Sequence, residues 1–185
     1  MHLYLYGPPG SGKSTIGQIL ARRLDLPFID LDAFIECTAK QRIPDIFACE
    51  GEGGFRMREA AALDQVAHGP SAIIALGGGA LLSAKNRALA ESTGDILCFQ
   101  ADAATLESRV SRHPGKRLLL AVPGSECAVP PSPGQAKPIG LLLAERASHY
   151  ASFACRLPVS DLPPEVTADQ AQAALGRFRI SGMGT

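Results

Sequence analysis

Five short apolar runs divide the chain, and the segments between them carry apolar residues at a three-to-four residue spacing. "HLYLY" at residues 2–6 is continuous, apolar and aromatic and runs into glycines, which predicts a buried strand entering a loop. The segment from Lys13 to Leu24 then puts Ile16, Ile19, Leu20 and Leu24 on one helical face. "LPFIDLD", "SAIIAL", "DILCFQ" and "FACRLPVS" predict four further strands. Helical sequence fills the gaps: "DAFIECTAK", "IPDIFACEG" and "GGFRMREAAALDQVAH" before the third strand, "SAKNRALAES" before the fourth, "AATLESRVSR" and "IGLLLAERASHY" before the fifth. Such alternation predicts an α/β fold, a three-layer αβα arrangement around a five-stranded parallel sheet, with ligands beyond the carboxyl ends of the strands.

One stretch breaks the pattern. "AVPGSECAVPPSPGQAKP" is rich in proline, glycine and small polar residues and has no usable period. The short remainder after it makes a poor domain alone, so a mobile loop at about 113–138 on a single domain, 1–185, is expected rather than an interdomain linker. The closing "ISGMGT", 180–185, reads as a frayed tail.

Charge and composition then narrow the partners. The formal net charge is zero and no long basic run occurs, so neither nucleic acid nor an anionic membrane is expected as a partner, and a small molecule is. The apolar runs fall far short of the ~20 residues of a membrane span, and no basic leader precedes the first of them. A soluble, cytoplasmic monomer is expected. Five cysteines without a C-x-x-C pair argue against a disulfide framework and a zinc site, and read as buried or half-buried thiols. The four histidines show no metal-ligand spacing and receive no catalytic role.

The chemistry is concentrated in short motifs at the ends of the predicted strands. Gly7 to Ser14 completes G-x-x-x-x-G-K-[ST], with Thr15 following. Between a strand and a helix, this is a phosphate cradle: Gly10, Ser11, Gly12 and the residues after them bring backbone N–H groups to phosphate oxygens. Lys13 reaches the outer phosphates, and Ser14 offers its hydroxyl to Mg²⁺, so ATP is the expected cosubstrate. Asp30 and Asp32 in "FIDLD" share a strand face if the strand continues through both. One carboxylate can then serve Mg²⁺ through water while the other accepts the proton of an attacking hydroxyl; the alternative is that Asp32 merely caps the next helix. Gly77, Gly78 and Gly79 close the third strand, which calls for a plain turn or for close backbone approach to a ligand. Arg56 has Glu59 three residues on and, in isolation, reads as a solvated ion pair; Arg146 in "LLLAERASHY" is similar.

Taken together, "GPPGSGKST", "FIDLD", "GEGGFRMREA", "LGGGA", "KRLLL" and "ERASHY" resemble the shikimate kinases in order and approximate spacing, from about Leu3 to Leu175. The combination of "GFR" and "GGG" is the specific part. The resemblance implies a P-loop kinase fold of the nucleoside monophosphate kinase type and ATP- and Mg²⁺-dependent phosphorylation of the 3-hydroxyl of shikimate. It implies that Arg56 and Arg146 grip the shikimate carboxylate, that Asp32 orients or deprotonates the nucleophile, and that Asp30 with Ser14 serves Mg²⁺. Gly77, Gly78 and Gly79 would bring backbone amides to the substrate ring, Arg109 or Arg112 would pack on adenine, with Arg109 the assignment adopted, and Arg117 in a lid would reach the transferring phosphoryl group. The lid departs from the family pattern, because Leu118 follows Arg117 where a proline is usual. Two other functions compete: a kinase for another small polyol acid such as gluconate, against which Arg56 weighs, and a silent nucleotide-binding partner, against which the joint presence of Lys13, Ser14, Asp30, Asp32 and Arg117 weighs.

Overall fold

The computed structural model describes residues 1–111, 139–159 and 162–179, with side chains through residue 174. The expected lid at 113–138, Arg112, Arg117, Leu118 and the expected tail at 180–185 lie outside the described residues.

Five parallel strands form one sheet: β1 His2–Tyr6, β2 Phe28–Asp30, β3 Ile73–Ala75, β4 Gly94–Gln100 and β5 Arg156–Pro158, in the order β2-β3-β1-β4-β5. Central β1 is buried along its whole length, as a strand covered on both faces must be. Its alternate residues feed the two sides. Leu3 and Leu5 pack with Ile16 and Leu20 of helix α1 (Lys13–Leu24) and with Ala168 and Ala171 of helix α7 (Pro164–Arg179). Tyr4 and Tyr6 face the other way, toward helices α2 (Leu31–Ala39), α3 (Ile43–Ala67), α4 (Ala84–Thr93) and α6 (Ile139–Ala151). The three-layer αβα expectation is thereby met; helix α5 (Ala103–Ser111) packs Leu106 and Val110 against Ile139 and Leu142 of α6.

Several boundaries differ from the sequence reading for local reasons. Strand β2 stops at Asp30, because that residue caps α2: its carboxylate accepts from the Asp32 and Ala33 N–H groups. The two helices expected around Gly51 join in α3 with a kink at that glycine, where φ is 68° and ψ is −175°. Helix α7 was not expected. Its start was marked by Pro164 at the first helical position, but its buried face is made of Thr167, Ala168 and Ala171, too small or too polar to give a strong apolar period. Arg23 of α1 ties it down through Glu165 and Asp169, at 2.6 Å each.

The thiols are less uniform than expected. Cys98 is buried, and that burial pushes its pKa up to about 12; Cys155 is half-buried, whereas Cys37 and Cys49 are exposed. All four are free.

Lys40 ends α2 in the left-handed region, with φ 52° and ψ 30°. A side chain there crowds its own carbonyl, and glycine does not. Lys40→Gly is therefore expected to stabilise the protein by about 1 kcal/mol, raising Tm by roughly 2–4 °C at this chain length, measurable by thermal denaturation.

The chain leaves β1 for the β2 edge, returns to β3, and then crosses to β4 on the other side of β1. That reversal opens a crevice beyond the carboxyl end of β1, where ligands of such sheets bind. The loop after β1, the end of β2 and the glycines after β3 all converge on it.

Candidate active site

The loop after β1 is shaped by glycine. Gly12 takes φ 90° to turn the chain into α1, whose N-terminus has no side-chain cap and no acidic residue in its first turn. Its N–H groups are thus left for an anion, with the helix dipole favouring negative charge. Gly7, at φ 135°, passes so close to β4 that a Cβ would lie 2.5 Å from the Phe99 carbonyl oxygen. Lys13 Nζ donates to the Gly7 and Pro8 carbonyls at 2.8 and 2.9 Å and approaches Ser11 Oγ at 3.4 Å, so the ammonium sits within the loop it serves.

The two aspartates divide differently from the expected shared strand face. Asp30 is the one that caps α2, while Asp32 stands in the first helical turn, so the pair does not share a strand face. Asp30 also accepts a 2.7 Å hydrogen bond from Ser14 Oγ, joining the phosphate loop to the end of β2. The Asp32 carboxylate is directed at the glycines after β3: a Cβ on Gly77 would lie 3.0 Å from Asp32 Oδ1 and 3.2 Å from Glu59 Oε1. On Gly79 it would lie 2.9 Å from Arg56 Nη2. None of Gly77, Gly78 and Gly79 has a positive φ, so this run is required by close approach, of side chains from α2 and α3 at Gly77 and Gly79 and of the phosphate loop at Gly78, and not by a left-handed turn.

Arg56 is half-buried and not on a fully solvated face. Its guanidinium donates to Glu59 Oε2 at 2.7 Å and to Glu52 Oε1 at 3.3 Å and lies 5.4 Å from the Phe55 ring centre, and Phe55 in turn stacks on Phe47. Glu59 is only 2 % exposed. Burial pushes its carboxyl above the ordinary carboxylate range, and the Arg56 charge pulls it part of the way back. A carboxylate this deep is costly unless paired, so the pair holds Arg56 in place beside Gly79. On the other flank, Arg146 Nη1 donates to the Gly78 carbonyl at 3.1 Å, and the Tyr150 hydroxyl donates to the same oxygen at 2.9 Å.

A cavity of about 610 Å³ runs along these elements, a size suited to small-molecule ligands. It is lined by Gly10, Ser11, Gly12, Lys13, Ser14 and Thr15, by Asp30 and Asp32, and by Gly77 and Gly78. Arg109 lines it too, donating to the Val159 carbonyl at 3.0 Å beside Leu162 and Pro164. Arg56, Gly79 and Arg146 are not in that lining but adjoin it across the glycine run. Every described residue singled out from the sequence is thus in or beside one crevice.

Comparison with known proteins agrees with this geometry. The family model for shikimate kinase matches residues 9–173. The chain belongs to the shikimate kinase family. It is 37% identical over 178 residues to the shikimate kinase of Gloeobacter violaceus, covering 95% of this chain and 93% of that one. It is 43% identical over 125 residues to the shikimate kinase of Symbiobacterium thermophilum, covering 66% of this chain and 71% of that one. Among solved structures, the shikimate kinase of Acinetobacter baumannii in complex with shikimate superposes with a TM-score of 0.80 at 28% identity, covering 99% of this chain and 95% of that one. Shikimate kinases are ATP-using kinases, in keeping with the phosphate loop.

The sequence reading of this shikimate kinase chain missed three contributors. Glu59 was seen only as a helix neighbour of Arg56; the signal available was its place among Ala62, Leu63 and Val66 on the buried face of α3. Tyr150 lies one turn after Arg146 and so on the same face of α6. Tyr6, the last residue of β1, reaches the Gly78 carbonyl at 3.2 Å, which no local pattern could reveal.

Proposed function

We propose that the chain transfers the γ-phosphoryl group of ATP to the 3-hydroxyl of shikimate, giving shikimate 3-phosphate. The observation carrying this reading is that the phosphate loop and the Asp32–Gly77–Arg56 cluster face each other across one crevice, in a member of the shikimate kinase family. ATP phosphates bind the loop of Gly10 to Thr15, and Lys13 follows the migrating charge. Asp32 accepts hydrogen bonds from the shikimate hydroxyls and takes the proton of the attacking one, a role suited to a carboxylate facing a polyol. Arg56 and Arg146 hold the shikimate carboxylate, since paired guanidinium forks match that geometry, and Gly77, Gly78 and Gly79 let the ring lie against backbone. Arg109 covers adenine. The role of Arg117 at the transferring group rests on the family resemblance.

Ser14 Oγ and Asp30 Oδ2, 2.7 Å apart, are the hard oxygen donors that suit Mg²⁺. Among the described residues no group of three or more histidine, cysteine or acidic side chains is placed to hold a metal ion. That fits an ion completed by water and phosphate oxygens, which would supply charge neutralisation on the phosphates. We read the enzyme as a monomer acting in the cytoplasm; no described helix is long and apolar enough to cross a membrane.

ADP release measured with shikimate, quinate, gluconate or no acceptor tests the reading. Release dependent on shikimate is expected; release with gluconate alone would transfer the assignment to another polyol acid, and none with any acceptor would favour a silent nucleotide binder. Arg56→Ala is expected to lower kcat/KM for shikimate by about 2–4 kcal/mol, because a largely desolvated carboxylate loses its charged partner. ATP affinity should be unchanged in that variant; calorimetry showing undisturbed shikimate binding would return Arg56 to a purely structural pair with Glu59.

A further inference from the structure

The carbonyl oxygen of Gly78 is the meeting point of three side-chain donors: Tyr150 Oη at 2.9 Å, Arg146 Nη1 at 3.1 Å and Tyr6 Oη at 3.2 Å. A carbonyl oxygen presents two lone pairs, so three donors over-determine its position. They arrive from two directions, Tyr6 from the end of β1 and the other two from α6. Gly78 also abuts the phosphate loop, since a Cβ there would lie 3.0 Å from Pro9 Cδ and 3.3 Å from the Gly7 carbonyl oxygen. A shift of this one peptide would therefore disturb both the glycine run and Arg146.

Behind Tyr6 stands a further polar group. His149 Nε2 lies 3.1 Å from the Tyr6 hydroxyl, and the imidazole is wedged edge-on against Tyr6 and Phe153, with centroids 5.7 and 5.2 Å away. The tyrosine has one proton. If it is given to Gly78, the Tyr6 oxygen must accept from His149, which requires the proton on Nε2 of the imidazole. Burial and the charges of Arg87 and Arg146 hold the His149 pKa below its ordinary value, and burial pushes the Tyr6 hydroxyl upward, so both groups are neutral while the chain of hydrogen bonds stands.

We propose that Tyr6 and His149 are positioning residues for the acceptor: His149 Nε2–H donates to the Tyr6 hydroxyl, which donates to the Gly78 carbonyl and fixes the glycine run together with Arg146. The inference rests on the reading of Gly78 and Arg146 as part of the shikimate subsite. Neither residue touches substrate; both act through the peptide between the two halves of the site. Tyr6→Phe removes the hydroxyl while keeping the ring against Tyr150 and Phe153, so it tests the hydrogen bond apart from the packing.

Two measurements test it. Nitrogen-15 NMR of the histidine rings in the free protein at pH 7.5 should find His149 neutral and protonated on Nε2; a proton on Nδ1 would overturn the relay. In steady-state kinetics, Tyr6→Phe and His149→Leu should raise the KM for shikimate about threefold to tenfold, the effect of losing one neutral hydrogen bond, with the KM for ATP unchanged and Tm lowered by no more than roughly 2–4 °C. His149→Gln, which can put an amide N–H near the Nε2 position, should recover most of the loss. An unaltered KM for shikimate in Tyr6→Phe would overturn the proposal, as would parallel rises in both KM values with a fall in Tm well beyond that, the signature of general core damage. If the unmodified enzyme failed to turn over shikimate, the proposed function would fall by that result alone, and the NMR result would still decide whether the relay exists.

Discussion

Lys13→Ala is expected to lower kcat for phosphoryl transfer by about a hundredfold to a thousandfold or more while leaving the fold intact. The ammonium is the cation at the head of α1, and it is held by the Gly7 and Pro8 carbonyls at 2.8 and 2.9 Å, inside the loop that receives the phosphates. Phosphoryl transfer involves little covalent work by the protein, so a charge that follows the migrating group accounts for much of the acceleration. The side chain lines an open crevice and is not part of any of the three core clusters, so truncation leaves no cavity in the core and both carbonyls can turn to solvent. A coupled assay for ADP, run beside a thermal melt, separates the outcomes. Near-normal turnover at an unchanged Tm would remove the phosphate-cradle assignment.

Asp32→Asn is expected to lower kcat by about a hundredfold to ten-thousandfold, the usual worth of a positioned general base, with a smaller loss in shikimate affinity. The amide is isosteric, and Gly77, which leaves room for the carboxylate by lacking a Cβ, leaves the same room for it. Hydrogen bonding to a polyol is largely retained, whereas the capacity to accept a proton is lost. The split between binding and turnover is therefore the diagnostic quantity, obtained from calorimetric Kd values set against single-turnover rates. Equal losses in both would make Asp32 a binding residue only.

The layered fold could be read from the chain because its buried strands are nearly pure apolar runs: "HLYLY" and "SAIIAL" mark the two adjacent strands that form the floor of the crevice. The phosphate loop was equally plain, since its glycines and Lys13 work through local backbone geometry that a contiguous motif encodes. What could not be read was that Asp30 and not Asp32 caps α2, because it depends on the strand ending one residue before α2 begins. The ion pair of Arg56 and Glu59 looked solvated, since spacing on a helix says nothing about which face is covered; only the packing of α3 makes Glu59 a buried carboxylate. The convergence of Tyr6, Arg146 and Tyr150 on one carbonyl joins residues far apart in sequence, and no periodicity announces it. Helix α7 escaped notice because alanines, small enough to let it lie close to α1, carry little hydrophobic signal.

The most direct test of the account is phosphorus-31 NMR of the protein with Mg²⁺, ATP and shikimate. The account predicts that the γ-phosphate resonance of ATP declines while a phosphate monoester resonance coupled to the proton on carbon 3 of shikimate grows in step with ADP. Conversion of ATP to ADP and inorganic phosphate alone, or no loss of ATP while shikimate stays unmodified, would contradict it.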